Sequence, residues 1–384
     1  VARAVRYVVA GVWLTHGLYN KLLSGSPRHL AIVQSVPGLS GAAGSRMLVA
    51  VGVFEVAVAV WVISRRAPRL CAVTQTGVLL SMNALELTYA RPLLLWPAGL
   101  VPVNLLFLTA AWYAADPRMI AQVRARLRRH PFAIDAHFDT VVALTYALPA
   151  HVLRPLLPPG LELETIGDDG FVAVALVQAR NLRPAGWPRM FGQDFFLAGY
   201  RVFTRTQRRR SRALRGLRIL RSDTNRRRMA AGGNLLTHYN YRHCDARIAA
   251  DGDELRVVVT TPDGAGDLDV GVGSGDAWLR ASRPNAVLPA SSPFSTVRQA
   301  RRFAGPLPFT FDYEAETDSI VAIAARRTNW KPMPIDVDVH RIAFFDQPAF
   351  AGCTPRLAAA FRVDNVDYRW NRGVLLEGGV SCAD

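Results

Sequence analysis

Ala114 to Pro131, AADPRMIAQVRARLRRHP, divides the chain into two parts of different chemistry. Asp116 is placed to cap a helix, and Pro117 suits the first helical position, where its missing N–H costs nothing. Met119, Val123 and Leu127 recur every four residues and share one helical face. Arg118, Arg124, Arg126, Arg128 and Arg129 occupy much of the remainder. A basic amphipathic helix directly after an apolar run is expected to lie on a membrane surface and face anionic lipid. The competing reading of the same pattern is a solvated linker. Upstream the sequence reads as membrane, and downstream as a β-rich, water-soluble domain. The expected organisation is a membrane part at 1–115, a linker helix at 116–130, a soluble domain at 131–375 and a tail at 376–384.

Four apolar runs precede the linker: Tyr7–Leu23, Met47–Ile63, Leu70–Ala90 and Leu93–Ala115. Each approaches the ~20 residues needed to cross the hydrocarbon core. The first is too long for a leader's apolar region, ends without a small-residue cleavage site, and reads as the first span. Arg3 and Arg6, then Arg65, Arg66 and Arg69, then the linker arginines would share one side of a four-span protein. By the positive-inside rule that side is cytoplasmic, which puts both termini inside an inner membrane.

The chain carries 46 basic and 30 acidic residues, a formal charge of +16, and is 50% hydrophobic. Only Lys21 and Lys331 are lysines; the rest of the positive charge is arginine, which does not titrate near neutrality. For a chain held on a bilayer, anionic lipid is a nearer partner than nucleic acid. Arg205 to Arg228 concentrates eleven arginines without interleaved aromatics, so it reads as a lipid-facing or solvated segment rather than a single-strand reader. Cys71, Cys244, Cys353 and Cys382 are widely spaced and form neither a zinc pattern nor a disulfide framework. No sequence feature names a cofactor or sets the oligomeric state.

Polar groups inside apolar spans are expensive and face a bundle interior. At a rise of 1.5 Å per residue, His16 and Glu55 come out at a common depth of roughly 12–14 Å. Lys21 and Glu86 come out together near the outer face, with Asn83 and Asn104 between. The expected pairs are therefore His16–Glu55 and Lys21–Glu86, serving either as a proton or quinone site or as structural glue. Trp13, Gly17 and Lys21 in VWLTHGLYNKLL, with Gly52 and Glu55 in VGVFEVAVAVWV, resemble the DoxX-like family of four-helix membrane proteins. That resemblance covers residues 1 to about 115 and implies a link to quinone or thiol redox complexes, although no redox motif stands in the chain.

Beyond the linker, Phe138–Leu148, Leu161–Thr165, Phe171–Gln178, Ser319–Ala325 and Ile335–Phe345 read as strands. Asp251-Gly252 between Ala246–Ala250 and Leu255–Thr261 signals a hairpin. Helices are expected at Pro149–Leu157 and Ser291–Phe303. Many strands with few helices argue an α+β domain built on an antiparallel sheet or closed barrel. FDTVVALTYALPAHVLRPLLPPGLELE at 138–164 and GGNLLTHYNYRHCDARI at 232–248 resemble an uncharacterised bacterial family of the YqjF type, related to acetoacetate decarboxylase.

That resemblance implies a cone- or barrel-like sheet around a small-molecule pocket. The decarboxylase requires a lysine that forms a Schiff base, aided by a neighbouring cation. Its Gly-Phe-Pro-Lys-Lys segment matches His238-Tyr239-Asn240-Tyr241-Arg242, so the nucleophile position holds Tyr241 and the neighbouring cation is Arg242. A phenol cannot form an imine. The candidate catalytic residues are therefore His238, Tyr241 and His243, with Thr237, Tyr239 and Arg242 as ligand-binding residues and no metal. The expected function is binding, or conversion without a Schiff base, of a small organic acid or carbonyl compound. The alternative is a membrane redox component with the soluble domain as partner or sensor module.

Overall fold

The linker helix forms where its cap predicts. The computed structural model describes the chain apart from residues 24–25, 207–212, 252–253, 274–287 and 377–384, the last of which include most of the expected tail. Asp116 Oδ1 accepts the backbone N–H groups of Arg118 and Met119 at 3.1 Å each, and the helix runs Pro117–Leu127. The chain divides within this helix into two compact units, Val1–Val123 and Arg124–Asp384.

The first unit is helical. α1 (Ala2–Leu14) continues through Thr15, which keeps αR dihedrals, into a π-helical segment (Thr15–Leu22). There follow α2 (Pro27–Gln34), α3 (Gly41–Ser64), α4 (Pro68–Tyr89), α5 (Pro97–Ala115) and α6, the linker helix. Among the described residues α3, α4 and α5 are long and apolar enough to cross a membrane. They are apolar outside as well as inside: Val49, Val53, Val60, Leu80 and Leu106 are exposed. This is a membrane protein with several spans. Two features depart from expectation. The first expected span is part α and part π helix, and the Ser24–Arg46 connection contains α2, whose Pro27 suits a first helical position.

The second unit is a mixed α+β domain. Its strands are β1 (Ile134–Pro149), β2 (Leu161–Leu163), β3 (Thr165–Ile166), β4 (Asp169–Pro184), β5 (Gln193–Thr206), β6 (Arg215–Thr224), β7 (Tyr241–His243) and β8 (Asp245–Asp251). They continue with β9 (Glu254–Thr260), β10 (Leu268–Gly273), β11 (Phe309–Glu314), β12 (Ser319–Arg327), β13 (Met333–Pro334), β14 (Val337–Ile342), β15 (Arg356–Trp370) and β16 (Val374–Leu376). Among the described residues three α-helices, α7 (Ala150–Leu153), α8 (Arg227–Leu236) and α9 (Val297–Ala304), interrupt them.

The large sheet runs β13-β15-β1-β4-β5-β6-β11-β12-β16, and β12 also pairs with β15 through Ala325–Trp370 and Arg327–Tyr368. The hydrogen-bonded order thus returns to its start. The sheet is mixed rather than wholly antiparallel, because β6 pairs in parallel with both β7 and β11. Parallel neighbours need a crossover. Here α8 supplies it for β7, and the chain between Thr224 and Phe309, which includes strands β8, β9 and β10 of a second sheet, supplies it for β11.

That second, four-stranded sheet, β14-β10-β9-β8, covers the outer face of the first. Its Val257, Val259, Val270 and Val272 pack in one core with Leu144, Val174, Tyr200 and Val202. The alternate residues Val141, Ala175, Val177 and Leu197 pack on the inner face. β1, β4 and β5 are thus buried on both faces, which is why Phe171–Gln178 reads as a continuous apolar run instead of alternating.

The β8–β9 hairpin pairs as expected, Asp251 opposite Glu254, while its turn residues 252–253 lie outside the described residues. The helix expected from Ser291 starts only at Val297, because Thr296 is the cap, its Oγ1 accepting the Gln299 N–H at 3.1 Å. Pro149 precedes its helix instead of opening it, and the helix ends at Leu153 in a 3-10 turn at Arg154–Leu156. The arginine-rich run is the end of β5, all of β6 and the start of α8, with 207–212 outside the described residues. Cys71, Cys244 and Cys353 are free, and Cys382 lies outside the described residues.

Candidate ligand-binding cavity

A strand buried on both faces needs a reason to carry a charge, and β5 carries one. In FFLAGYRVF, Phe195, Leu197, Gly199, Arg201 and Phe203 share a face by the two-residue repeat. Arg201 therefore points to the inner side. Two adjustments make room for it. A Cβ at Gly199 would stand 3.1 Å from both Nε and Nη2 of Arg201, so glycine leaves space for the guanidinium. The β5–β6 register also shifts beside it, where Leu220 is the extra residue of a bulge on β6.

Around it lies a cavity of about 300 Å³. Ala143, Ala173, Ala175 and Ala179 on β1 and β4 leave the volume, and Phe138, Trp330, Tyr368 and Trp370 supply aromatic walls. Arg201 Nε is enclosed with no hydrogen-bond partner. Arg327 also lines the cavity, its guanidinium lying 5.5 Å from the Trp330 ring and 5.2 Å from the Tyr368 ring. The Tyr239 hydroxyl, Trp330 Nε1 and His130 Nδ1 are buried and unpartnered too. Among the described lining residues there is no aspartate or glutamate. Burial pulls the Arg201 pKa down, while Tyr368, Tyr241 and Tyr239 act in the other direction. Burial pushes the Tyr241 phenol up to about 12, so it enters chemistry as a donor.

The expected site residues separate by strand register. β7 lies alongside β6, and its alternate side chains face opposite ways. Tyr241 lines the cavity together with Tyr239 and Thr237, whose hydroxyl donates to Gly233 O at 2.8 Å. Arg242, the next residue, does not line it: its guanidinium is half-exposed and pairs with Asp263. His243 also lies outside the lining. His238 Nδ1 and its backbone N–H meet Asp312 Oδ2 at 3.0 and 2.8 Å, and Arg218 holds the other oxygen. Burial raises the Asp312 pKa, but His238 and Arg218 outweigh it and leave the carboxyl below its ordinary value. His238 is thus engaged with a buried carboxylate and lies outside the lining. Lys331 is exposed and outside the lining, although its neighbour Trp330 is within it.

Sequence reasoning missed Arg201, Arg327 and His130. Arg201 was legible as a charge at an inward position of an apolar strand. His130 gave no signal. It ends the arginine-rich linker at φ 56°, its N–H donates to Leu236 O at 2.9 Å, and its carbonyl accepts from Gly373 at 3.0 Å. Burial pulls its pKa down from 6.5 to about 4, against smaller contributions from backbone hydrogen bonds at Phe132 and Asn371. Above pH 6.5 the imidazole is neutral in both folded and unfolded chains. Between 6.5 and about 4 the unfolded chain takes up a proton that the folded one refuses, so stability falls with pH by roughly 3 kcal/mol in total. His130→Asn, which tolerates the left-handed backbone, is expected to flatten that part of the thermal-stability profile. An unchanged slope between pH 6.5 and 4.5 would exclude His130 as its source.

In the helical unit the acid–base pairing differs from the depth estimate. Lys21 Nζ donates to both Glu55 oxygens, at 2.8 and 2.7 Å, and the two residues are 4% and 1% exposed. His16 instead meets His29, ring centroids 6.1 Å apart, and Glu86 is not Lys21's partner. The estimate assumed an α-helical rise, whereas Thr15–Leu22 is π-helical and turns Lys21 inward. Close approach to α3 does the rest: a Cβ at Gly17 would fall 2.7 Å from Gly52 O and 2.8 Å from Glu55 Cβ. Trp13 Nε1 donates to Gln75 at 2.7 Å, and Asn104 donates to Asn83 at 2.6 Å. His16, Lys21, Glu55 and Glu86 line a second cavity of about 580 Å³. Among the described residues no group of three or more histidine, cysteine or carboxylate side chains is placed to hold a metal ion.

Apolar spans followed by a cavity-bearing sheet define a two-part membrane protein. Residues 10–112 match the DoxX-like family, and residues 135–362 match DUF2071, a family described as uncharacterized conserved proteins, to which the chain belongs. No curated protein matches it. Similar solved structures include an acetoacetate decarboxylase from Legionella pneumophila, 12% identical with a TM-score of 0.43, covering 64% of this chain and 88% of that one. The enduracididine biosynthesis enzyme MppR complexed with pyruvate is 11% identical with a TM-score of 0.42, covering 65% and 92%. An acetoacetate decarboxylase-like enzyme from Sphingomonas wittichii RW1 is 11% identical with a TM-score of 0.41, covering 64% and 94%.

Proposed function

We propose that this is a multi-pass inner-membrane protein whose helical unit anchors a cytoplasmic domain that binds or converts a small organic anion or carbonyl compound without a Schiff-base lysine. The observation that carries the reading is the enclosed Arg201 guanidinium in a cavity whose described lining holds no carboxylate. A buried cation lacking a partner is costly, and an anionic ligand relieves that cost. The unpartnered atoms around it act mainly as donors, which suits a carboxylate or a carbonyl oxygen. Tyr241 and His130 line the cavity and are able to move a proton on such a ligand, while His238, outside the lining, is held by Asp312. The domain is read as a closed barrel of acetoacetate-decarboxylase-like type. Imine chemistry is not part of the reading, since Lys331 stands outside the lining. Removal of Arg201, with neutral amide analogues as controls, is the test.

The helical unit is read as four spans, with α1 and its π extension as the first and α6 lying on anionic lipid. The arginine distribution supports both termini in the cytoplasm. A phosphatase active only outside the membrane should be silent when fused after Asp384 and active when fused after Pro37. The reverse pattern would invert the topology. The second reading, a membrane redox component, is favoured by one observation, the cavity beside the Lys21–Glu55 pair. A chromophore in the absorption spectrum of the purified protein would support it.

A further inference from the structure

Resting on the anion reading above, we propose that the ligand is a carboxylic acid with an aromatic or comparably bulky apolar body, rather than a three- or four-carbon keto acid. The first argument is volume. The cavity's 300 Å³ is the room of about ten waters, and a short keto acid would fill only about half of it. The second is the chemistry of the walls. Phe138, Tyr368 and Trp370 form one cluster, with ring centroids 4.9 Å apart for Phe138–Tyr368 and 4.4 Å for Tyr368–Trp370. Ala143, Ala173, Ala175 and Ala179, with Gly199, stand among Val141, Val177 and Leu197 on the inward positions of β1, β4 and β5, and their small size opens space on this inner face. A short, fully polar ligand would leave this surface against water.

The third argument is where the polar atoms are. Arg201, Tyr239, Tyr241 and Tyr368 all line the cavity and act on one another electrostatically, so one guanidinium is the centre of a polar cluster. Arg327 joins them and is held in place, Nη2 donating to Leu307 O and its plane lying against Trp330 and Tyr368. A cationic and phenolic cluster beside walls that are mostly aromatic and aliphatic describes an amphiphilic acid with a single head.

The test is calorimetry on the full chain in detergent with pairs that share a head and differ in body: pyruvate against phenylpyruvate, and acetate against phenylacetate. Phenylacetamide is the neutral control, and the Arg201→Leu chain corrects for partition into detergent. Each buried methylene is worth about fourfold in affinity, so the phenyl acids are expected to bind on the order of 100-fold more tightly than the methyl acids. Short acids binding as tightly as their phenyl partners would overturn the bulky-body proposal and leave the anion reading intact. Phenylacetamide binding as tightly as phenylacetate would overturn the anion reading beneath it. Absence of binding by every acid at millimolar concentration would overturn both.

Discussion

Arg201→Leu is expected to weaken carboxylate binding about 10–150-fold and at the same time to stabilise the ligand-free protein. The first effect is the loss of a charge-assisted hydrogen bond, worth roughly 1.5–3 kcal/mol. The second has the opposite sign because the guanidinium is enclosed and faces no carboxylate in the described lining. Replacing an uncompensated buried charge by an apolar side chain removes a desolvation penalty, here on the order of 1–3 kcal/mol. That corresponds to a rise of several degrees in Tm for a unit of this size. Arg201→Lys should recover part of the binding, since lysine keeps the charge but not the planar fork. Arg242→Ala should change binding little, because Arg242 sits on the opposite face of β7 with Asp263. Unchanged carboxylate affinity in Arg201→Leu would remove the anchor from the proposal. A lower Tm in that variant would show that the guanidinium has a structural partner.

Glu55→Gln is expected to give the largest loss of stability in the helical unit. Lys21 and Glu55 are both buried, and removing one member of such a pair leaves the other charge without compensation, at about 3–5 kcal/mol. The double change Lys21→Met with Glu55→Leu should be much milder than either single change, because it removes both charges and keeps the volume. Thermal unfolding in detergent reads both effects. Additive losses in the double variant would mean that the two side chains are stabilised by other neighbours. His16→Ala should couple weakly to Glu55, since the imidazole meets His29 instead.

What could be read from the chain, and what could not, follows from the range of the interactions concerned. The start of the linker helix was legible to the residue, because a cap and an N1 proline act within four positions, whereas its end at Leu127 falls short of the expected 130. The β8–β9 hairpin was legible for the same reason. Tyr239 and Tyr241 were placed in the site by their motif, and the structure puts both on the cavity wall. The motif placed the neighbouring cation, Arg242, in the site as well, but the structure puts it outside the lining, because its side depends on the register of β7 against β6, which alternates faces residue by residue. Arg201 supplies a guanidinium in that cavity from a strand remote in sequence. The Lys21–Glu55 pair was missed because depth was counted along an α helix, and a π segment cannot be recognised from THGLYNKL by its apolar spacing alone.

The pairing of β15 with both β1 and β12 has a consequence for how the protein is made. Ile134 lies opposite Trp370, and Ala325 pairs with that same residue. Among the described residues β15 is therefore the strand that covers the side of β1 away from β4 and closes the order onto β12. During synthesis β1 leaves the ribosome with one side unpaired and stays so until Arg356–Trp370 has emerged. An open strand edge seeks other strands, and contacts this distant in sequence form slowly. Ring closure thus waits for β15, and truncation shortly before Arg356 should yield a chain that inserts its helices but holds its soluble domain open and prone to aggregate.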